Sequence, residues 1–205
     1  MSSHSHVEGQ LPHEPERATL EGRNKITGFW LFLGGETVLF GTLFAAYLTL
    51  RGQIMDGPTP DHLFSFLLVA IATALLLTSS LTSVFALQSM HRHDVKALLG
   101  WLIVTVILGA AFLGLEIYEF NHYVHEGHKF STSAFSTSFY TLVGFHGAHV
   151  AFGLLWAILI MLQLKNRGLN TTTAPKVYLF GMYWHFIDVV WVFIFTVVYL
   201  MGRVG

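Results

Sequence analysis

The chain contains no cysteine. Disulfides, thiolate zinc sites, iron–sulfur clusters and thiol catalysis are thereby excluded. Charge is scarce as well. Only 11% of the 205 residues are Asp, Glu, Lys or Arg, against roughly 25% in an average soluble domain. The formal net charge of −1 provides no basic surface for nucleic acid. The five prolines (Pro12, Pro15, Pro58, Pro60 and Pro175) all lie outside the long apolar runs, so no ring breaks a helix there. The N-terminal residues show no short apolar core before a small-residue cleavage site. The first long apolar run is therefore expected to direct membrane insertion itself.

What remains is hydrophobic. Apolar residues make up 53% of the chain, with 18 phenylalanines, which places it in the membrane class. Five runs are long enough to cross a bilayer, each exceeding about 20 residues: Ile26–Leu50, Phe64–Leu87, Ala97–Tyr123, Ser136–Leu164 and Val177–Met201. The connections are short and carry turn chemistry, as in Asp56-Gly57-Pro58 and Asn166-Arg167-Gly168. The expected fold is an all-α membrane protein, a single bundle of five transmembrane helices over residues 25–205. Met1–Asn24 reads as a polar cytoplasmic tail, with His4 and His6 in a solvent-exposed end.

Orientation follows from lysine and arginine. A cytoplasmic N-terminus puts Arg17, Arg23, Lys25, Arg92, Lys96, Lys165, Arg167 and Lys176 inside, and only Arg51, Lys129 and Arg203 outside. That asymmetry favours N-inside and C-outside. Three small-residue pairs four apart, Gly41/Ala45, Ala110/Gly114 and Gly147/Ala151, are candidate points of close helix approach. The hydroxyl cluster Thr78, Ser79, Ser80, Thr82 and Ser83 can bond back to its own helix and reads as structural.

The informative residues are polar groups in the runs. Glu36, Glu116, Glu119 and Asp188 lie within or near the ends of spans that hold no lysine or arginine. An acid at mid-bilayer costs roughly 2.5–3.5 kcal/mol on insertion scales, so it should face protein rather than lipid. The partners available within the chain are His146, His149 and His185. His185 and Asp188 share one face of the last helix, with Trp184 and Trp191 on or beside it. Counting helical rise places Glu36 and Asp188 about 15–16 Å from the cytoplasmic ends of their helices, and His146 and His149 roughly 15–20 Å from the outer end of theirs. Comparable depth permits an interhelical polar layer.

Three readings compete for these groups. They can be structural glue between helices. They can mark a proton or ion path. Or they can bind metal: Glu119-x-x-His122 resembles half of a di-iron site, His146-x-x-His149 has ligand-like spacing, and His122, His125 and His128 recur every third residue. A second Glu-x-x-His is missing, and neither a nucleophile–base set nor a phosphate loop nor a haem attachment motif is present. An autonomous transporter and a membrane di-iron enzyme thus remain as rival classes.

Longer motifs narrow the choice. Tyr183-Trp184-His185-Phe186-Ile187-Asp188-Val189-Val190-Trp191 closely resembles the signature of the last helix of subunit III of haem–copper oxidases. Gly144-Phe145-His146-Gly147-Ala148-His149-Val150 resembles that family's penultimate-helix motif. Phe29-Trp30, followed by Gly35-Glu36-Thr37-Val38-Leu39-Phe40, resembles the helix bearing its intramembrane glutamate, and Glu116-Ile117-Tyr118-Glu119-Phe120 a further motif. The resemblance runs from about Leu20 to the C-terminus. Many members have seven helices; five resembles the short bacterial form, in which equivalents of the first two are carried by subunit I. Leu77–Phe85 is more similar to the cytochrome c branch of Gram-positive bacteria than to the quinol branch.

The resemblance implies a non-redox subunit of a proton-pumping terminal oxidase in the bacterial cell membrane. Haem and copper would belong to partner subunits, with no catalytic, cofactor or metal residue in this chain. Subunit I would be the direct partner, with subunit II and a subunit IV in the same complex and bound phospholipid between the helices. By motif, Glu36 would be the buried acid that reacts with carbodiimides. His146, His149, Trp184, His185 and Asp188 would form the polar interior, joined by Glu119 and Glu116.

Overall fold

A computed structural model describes residues 11–50, 66–125 and 134–200. It contains five long helices and, among the described residues, no strand. They are α1 (Leu20–Leu50), α2 (Phe66–His91), α3 (Val95–His125), α4 (Ala134–Arg167) and α5 (Ala174–Ile194), the last prolonged by a π-helical turn, Phe195–Leu200. All five are long and apolar enough to cross a membrane. The five runs read from sequence therefore correspond to five helices, most of them extended by a few residues into their polar flanks. The Asp56-Gly57-Pro58 turn lies outside the described residues, as do His4 and His6.

Two turns show why the helices stop where they do. His93 adopts a left-handed φ of 58° between α2 and α3. Asp94 Oδ1 then accepts the N–H groups of Lys96 (3.1 Å) and Ala97 (3.0 Å), capping the start of α3. After α4, Gly168 takes a φ of 66°, and its N–H bonds the Leu164 carbonyl at 2.9 Å. Glycine meets no steric penalty in that conformation, which is why the Asn166-Arg167-Gly168 signal ends a helix. The Asn170 side chain accepts from the N–H groups of Thr172 and Thr173, and Pro175 enters the first turn of α5, where no N–H is missed.

α5 is the centre. It packs on α1, α2 and α4, while α2–α3, α3–α4 and α1–α4 contacts complete the wall around it. Its Phe180, Tyr183, Trp184 and Trp191 are almost wholly buried. Trp184 explains two glycines. A Cβ on Gly109 of α3 would lie 2.7 Å from the Trp184 ring, and one on Gly153 of α4 would lie 3.0 Å from it. Both positions must lack a side chain for the indole to fit between α3 and α4. Of the small residues flagged in the sequence, Gly147 meets a neighbour, the Glu116 carboxyl, whereas Gly41 and Gly114 face open space.

The segment before α1 is not wholly peripheral. α1 begins at Leu20, inside the stretch read from sequence as tail. Ahead of it, a 3-10 turn, Pro15–Arg17, packs against α5. Glu16 is 2% exposed, and its Oε1 accepts from His91 Nε2 of α2 at 3.3 Å. Arg17 lies over the Tyr178 ring at 6.0 Å, and Tyr178 raises this guanidinium above its ordinary pKa. Local sequence gave no sign of a buried acid here, because the partner lies 75 residues away.

Candidate functional site

The intramembrane polar residues sort into three groups. The first joins α1, α4 and α5. His149 Nδ1 lies 2.7 Å from the Phe145 carbonyl of its own helix. A carbonyl can only accept, so Nδ1 carries the hydrogen. His149 Nε2 then faces Glu36 Oε2 at 3.1 Å. Either a protonated Glu36 donates to the neutral ring, or the imidazolium donates to the carboxylate. In both cases a single proton lies between the two atoms and the pair as a whole is uncharged. Tyr183 of α5 donates its hydroxyl to the His149 carbonyl at 3.0 Å, and Phe40 of α1 meets the imidazole edge-on with centroids 5.0 Å apart. The pair is not sealed: the Glu36 side chain is 16% exposed and that of His149 18%.

The second group joins α2 to α5 through hydroxyls. Trp184 Nε1 donates to Ser79 Oγ (3.0 Å) and Trp191 Nε1 to Thr73 Oγ1 (3.0 Å). Ser80 Oγ bonds His185 Nδ1 at 2.8 Å, and Thr82 meets Thr105 of α3 at 2.7 Å. Several of these hydroxyls also bond their own backbone, as expected: Thr78 to Ala74 and Ser79 to Leu76. Sequence could not reveal the second partner. An indole N–H buried in apolar surroundings must find an acceptor, and α2 presents one hydroxyl for each of the two tryptophans, Thr73 and Ser79, nearly two turns apart. Asp188, 4% exposed, sits in the same region beside Ser80.

The third group lies between α3, α4 and α5. His146 is fully buried, stacked on Trp191 (5.2 Å between centroids, 29° between planes) with Phe112 edge-on to it at 6.0 Å. Neither ring nitrogen has a hydrogen-bond partner among the described residues, nor does either oxygen of Glu116, which is 6% exposed. A buried polar group left unsatisfied costs about 1–3 kcal/mol. Glu119 is buried on the same face of α3. The side chains of His122, His125 and His128 lie outside those described, so the Glu119-x-x-His122 spacing has no geometry to report. Among the described residues, no group of three or more His, Cys, Asp or Glu is arranged to hold a metal.

The sequence-derived residues thus do not form one continuous layer. Glu36 and His149 are in direct contact. His185 and Asp188 turn toward α2. His146 and Glu116 occupy the α3–α4 side, one helical turn from His149 but facing a different helix.

The comparison with known families matches residues 8–203 to cytochrome c oxidase subunit III. The chain belongs to that family. Among similar members, cytochrome c oxidase subunit 3 of Bacillus sp. (strain PS3) is 65% identical over 196 residues, 95% of both chains. The protein of the same name from Bacillus subtilis (strain 168) is 60% identical over the same share. Quinol oxidase subunit 3 of that strain is 49% identical across the full length of both. Membership accounts for the all-helical, multi-pass architecture, and it reduces the autonomous transporter and the di-iron enzyme to readings without support.

Proposed function

We propose that this subunit III serves a bacterial terminal oxidase that takes its electrons from cytochrome c. It would lie in the plasma membrane with its N-terminus inside. The observation that carries the donor assignment is the identity gradient within one organism: 60% to the cytochrome c oxidase subunit of Bacillus subtilis and 49% to its quinol oxidase subunit. The quinol reading stays as the alternative, because that match spans every residue of the chain.

In this reading haem and copper reside in partner subunits, and the chain packs on subunit I, holds phospholipid and supports proton uptake and catalytic lifetime. The intramembrane groups play supporting parts. Glu36 and His149 join α1 to α4 through one shared proton, the Ser79–Trp184 and Thr73–Trp191 bonds fix α5 on α2, and no electron passes through any of them. Partial exposure of Glu36 leaves its carboxyl reachable by an apolar carbodiimide. Labelling of the complex should therefore be lost in Glu36→Gln and kept in Glu116→Gln.

The deciding experiment is purification through a tag on this chain. A haem-bearing complex should come with it, and oxygen uptake should be driven by reduced cytochrome c. Uptake driven only by quinol would move the assignment to the alternative, and purification without any haem spectrum would reject both. Removing the subunit should leave the haem spectrum nearly intact and shorten the enzyme's working life. A reporter fused to the C-terminus should be active only outside the cell.

A further inference from the structure

The strongest unexplained feature is the pair His146 and Glu116. Both are more than nine-tenths buried, and all four of their side-chain nitrogen and oxygen atoms lack a hydrogen bond from the described residues. They share one neighbourhood. The Phe112 ring touches the His146 ring and precedes Glu116 by one turn of α3. The Glu116 carboxyl in turn rests on Gly147, the residue after His146, at a distance that would leave a Cβ only 2.7–3.0 Å away.

An imidazole cannot be content with this. In its neutral form one nitrogen donates and the other accepts, whichever tautomer is present. Two polar aromatic side chains of α5 are already committed elsewhere. The nearby Trp191 N–H is already given to Thr73, and the Tyr183 hydroxyl is given to the His149 carbonyl. The carboxyl, charged or not, presents two further oxygens. Buried groups of this kind are ordinarily met by enclosed water, which needs a polar site with two to four partners. Glycine at position 147 is what admits the carboxyl to that site.

We propose that His146 and Glu116 line a small hydrated site between α3, α4 and α5, occupied by one or more ordered water molecules that bond both side chains. This site is separate from the Glu36–His149 pair, which satisfies itself directly, and it does not depend on which electron donor the complex uses.

The test is water-edited solid-state NMR of the intact oxidase with 15N-labelled histidine, in lipid. The ring signals removed by His146→Phe are those of His146. They should receive magnetisation from water and show the shifts of a hydrogen-bonded neutral imidazole. Gly147→Ala, which pushes the Glu116 carboxyl from its seat, should shift the same signals while leaving His149 in place. A His146 ring that receives nothing from water, or has the shifts of unbonded nitrogen, overturns the proposal. Should His146→Phe fail to assemble, Glu116→Gln gives an independent reading. The infrared band it removes should respond to H2O/D2O exchange, and a band that does not respond overturns the proposal equally.

Discussion

α1 and α5 are both membrane-spanning helices of similar apolar character, yet they are built for different surroundings. Half of the most apolar window of α5 lies inside the bundle, against 17% of that of α1. α5 spends its large aromatics inward, where Trp184 fills the notch between Gly109 and Gly153. α1 turns Trp30, Leu31 and Val38 outward, with exposures of 63–76%, and holds on through buried Leu33, Phe40 and Tyr47 and the Glu36–His149 contact. In a bilayer there is no hydrophobic gain between helices, so close packing and polar bonds decide which helix is central. α5 packs on three helices and bonds both α2 and α4, whereas α1 packs on α4 and α5 and is bonded to α4 through Glu36.

The contrast can be broken by mutation. The largest effect is expected from Trp184→Ala, which removes a fully buried indole and its bond to Ser79. It should cost about 3–5 kcal/mol, read as a lowered thermal midpoint of the complex and poor recovery of the subunit. Gly109→Ala comes next. The added methyl meets Trp184 and Leu154 at 2.7–2.9 Å, and such overpacking costs about 1–3 kcal/mol. Ser79→Ala leaves the indole N–H without its acceptor and should cost about 1 kcal/mol, the scale of interhelical bonds in membranes. Smallest is Val38→Ala on the outer face of α1, expected within about 0.5 kcal/mol as for a surface change. If Val38→Ala rivalled Gly109→Ala in the same thermal assay, that face would be covered in the complex and the contrast between the helices would fail.

Much of this was legible in the order of residues. Five spans follow from apolar length alone, and the end of α4 from Asn166-Arg167-Gly168. Counting helical rise put Glu36 and His149 at matching depth, and they are indeed in contact. What could not be read was direction around the helix axis. His146 and His149 are three residues apart, yet one faces Trp191 and the other faces α1. Nor could sequence tell which glycines would matter. Gly41 and Gly114, chosen for their spacing, meet nothing among the described residues, whereas Gly109 and Gly153, with no small partner at that spacing singled out, receive Trp184. The hydroxyl cluster Thr78, Ser79, Ser80, Thr82 and Ser83 of α2 reads as structural because its nearest acceptors are local, while the indole that claims Ser79 lies more than 100 residues away.

Placing the hub of the bundle in the final helix has a consequence for how the molecule is made. During synthesis the first helix enters the membrane well over a hundred residues before its two supports have been translated. Until the fourth helix arrives, Glu36 has no His149 to share a proton with, and until the fifth arrives there is no keystone for any of them. A nascent chain of this design must be held unfinished by the insertion machinery or by lipid, and a polypeptide cut short before Ala174 would leave four helices with nothing to gather around.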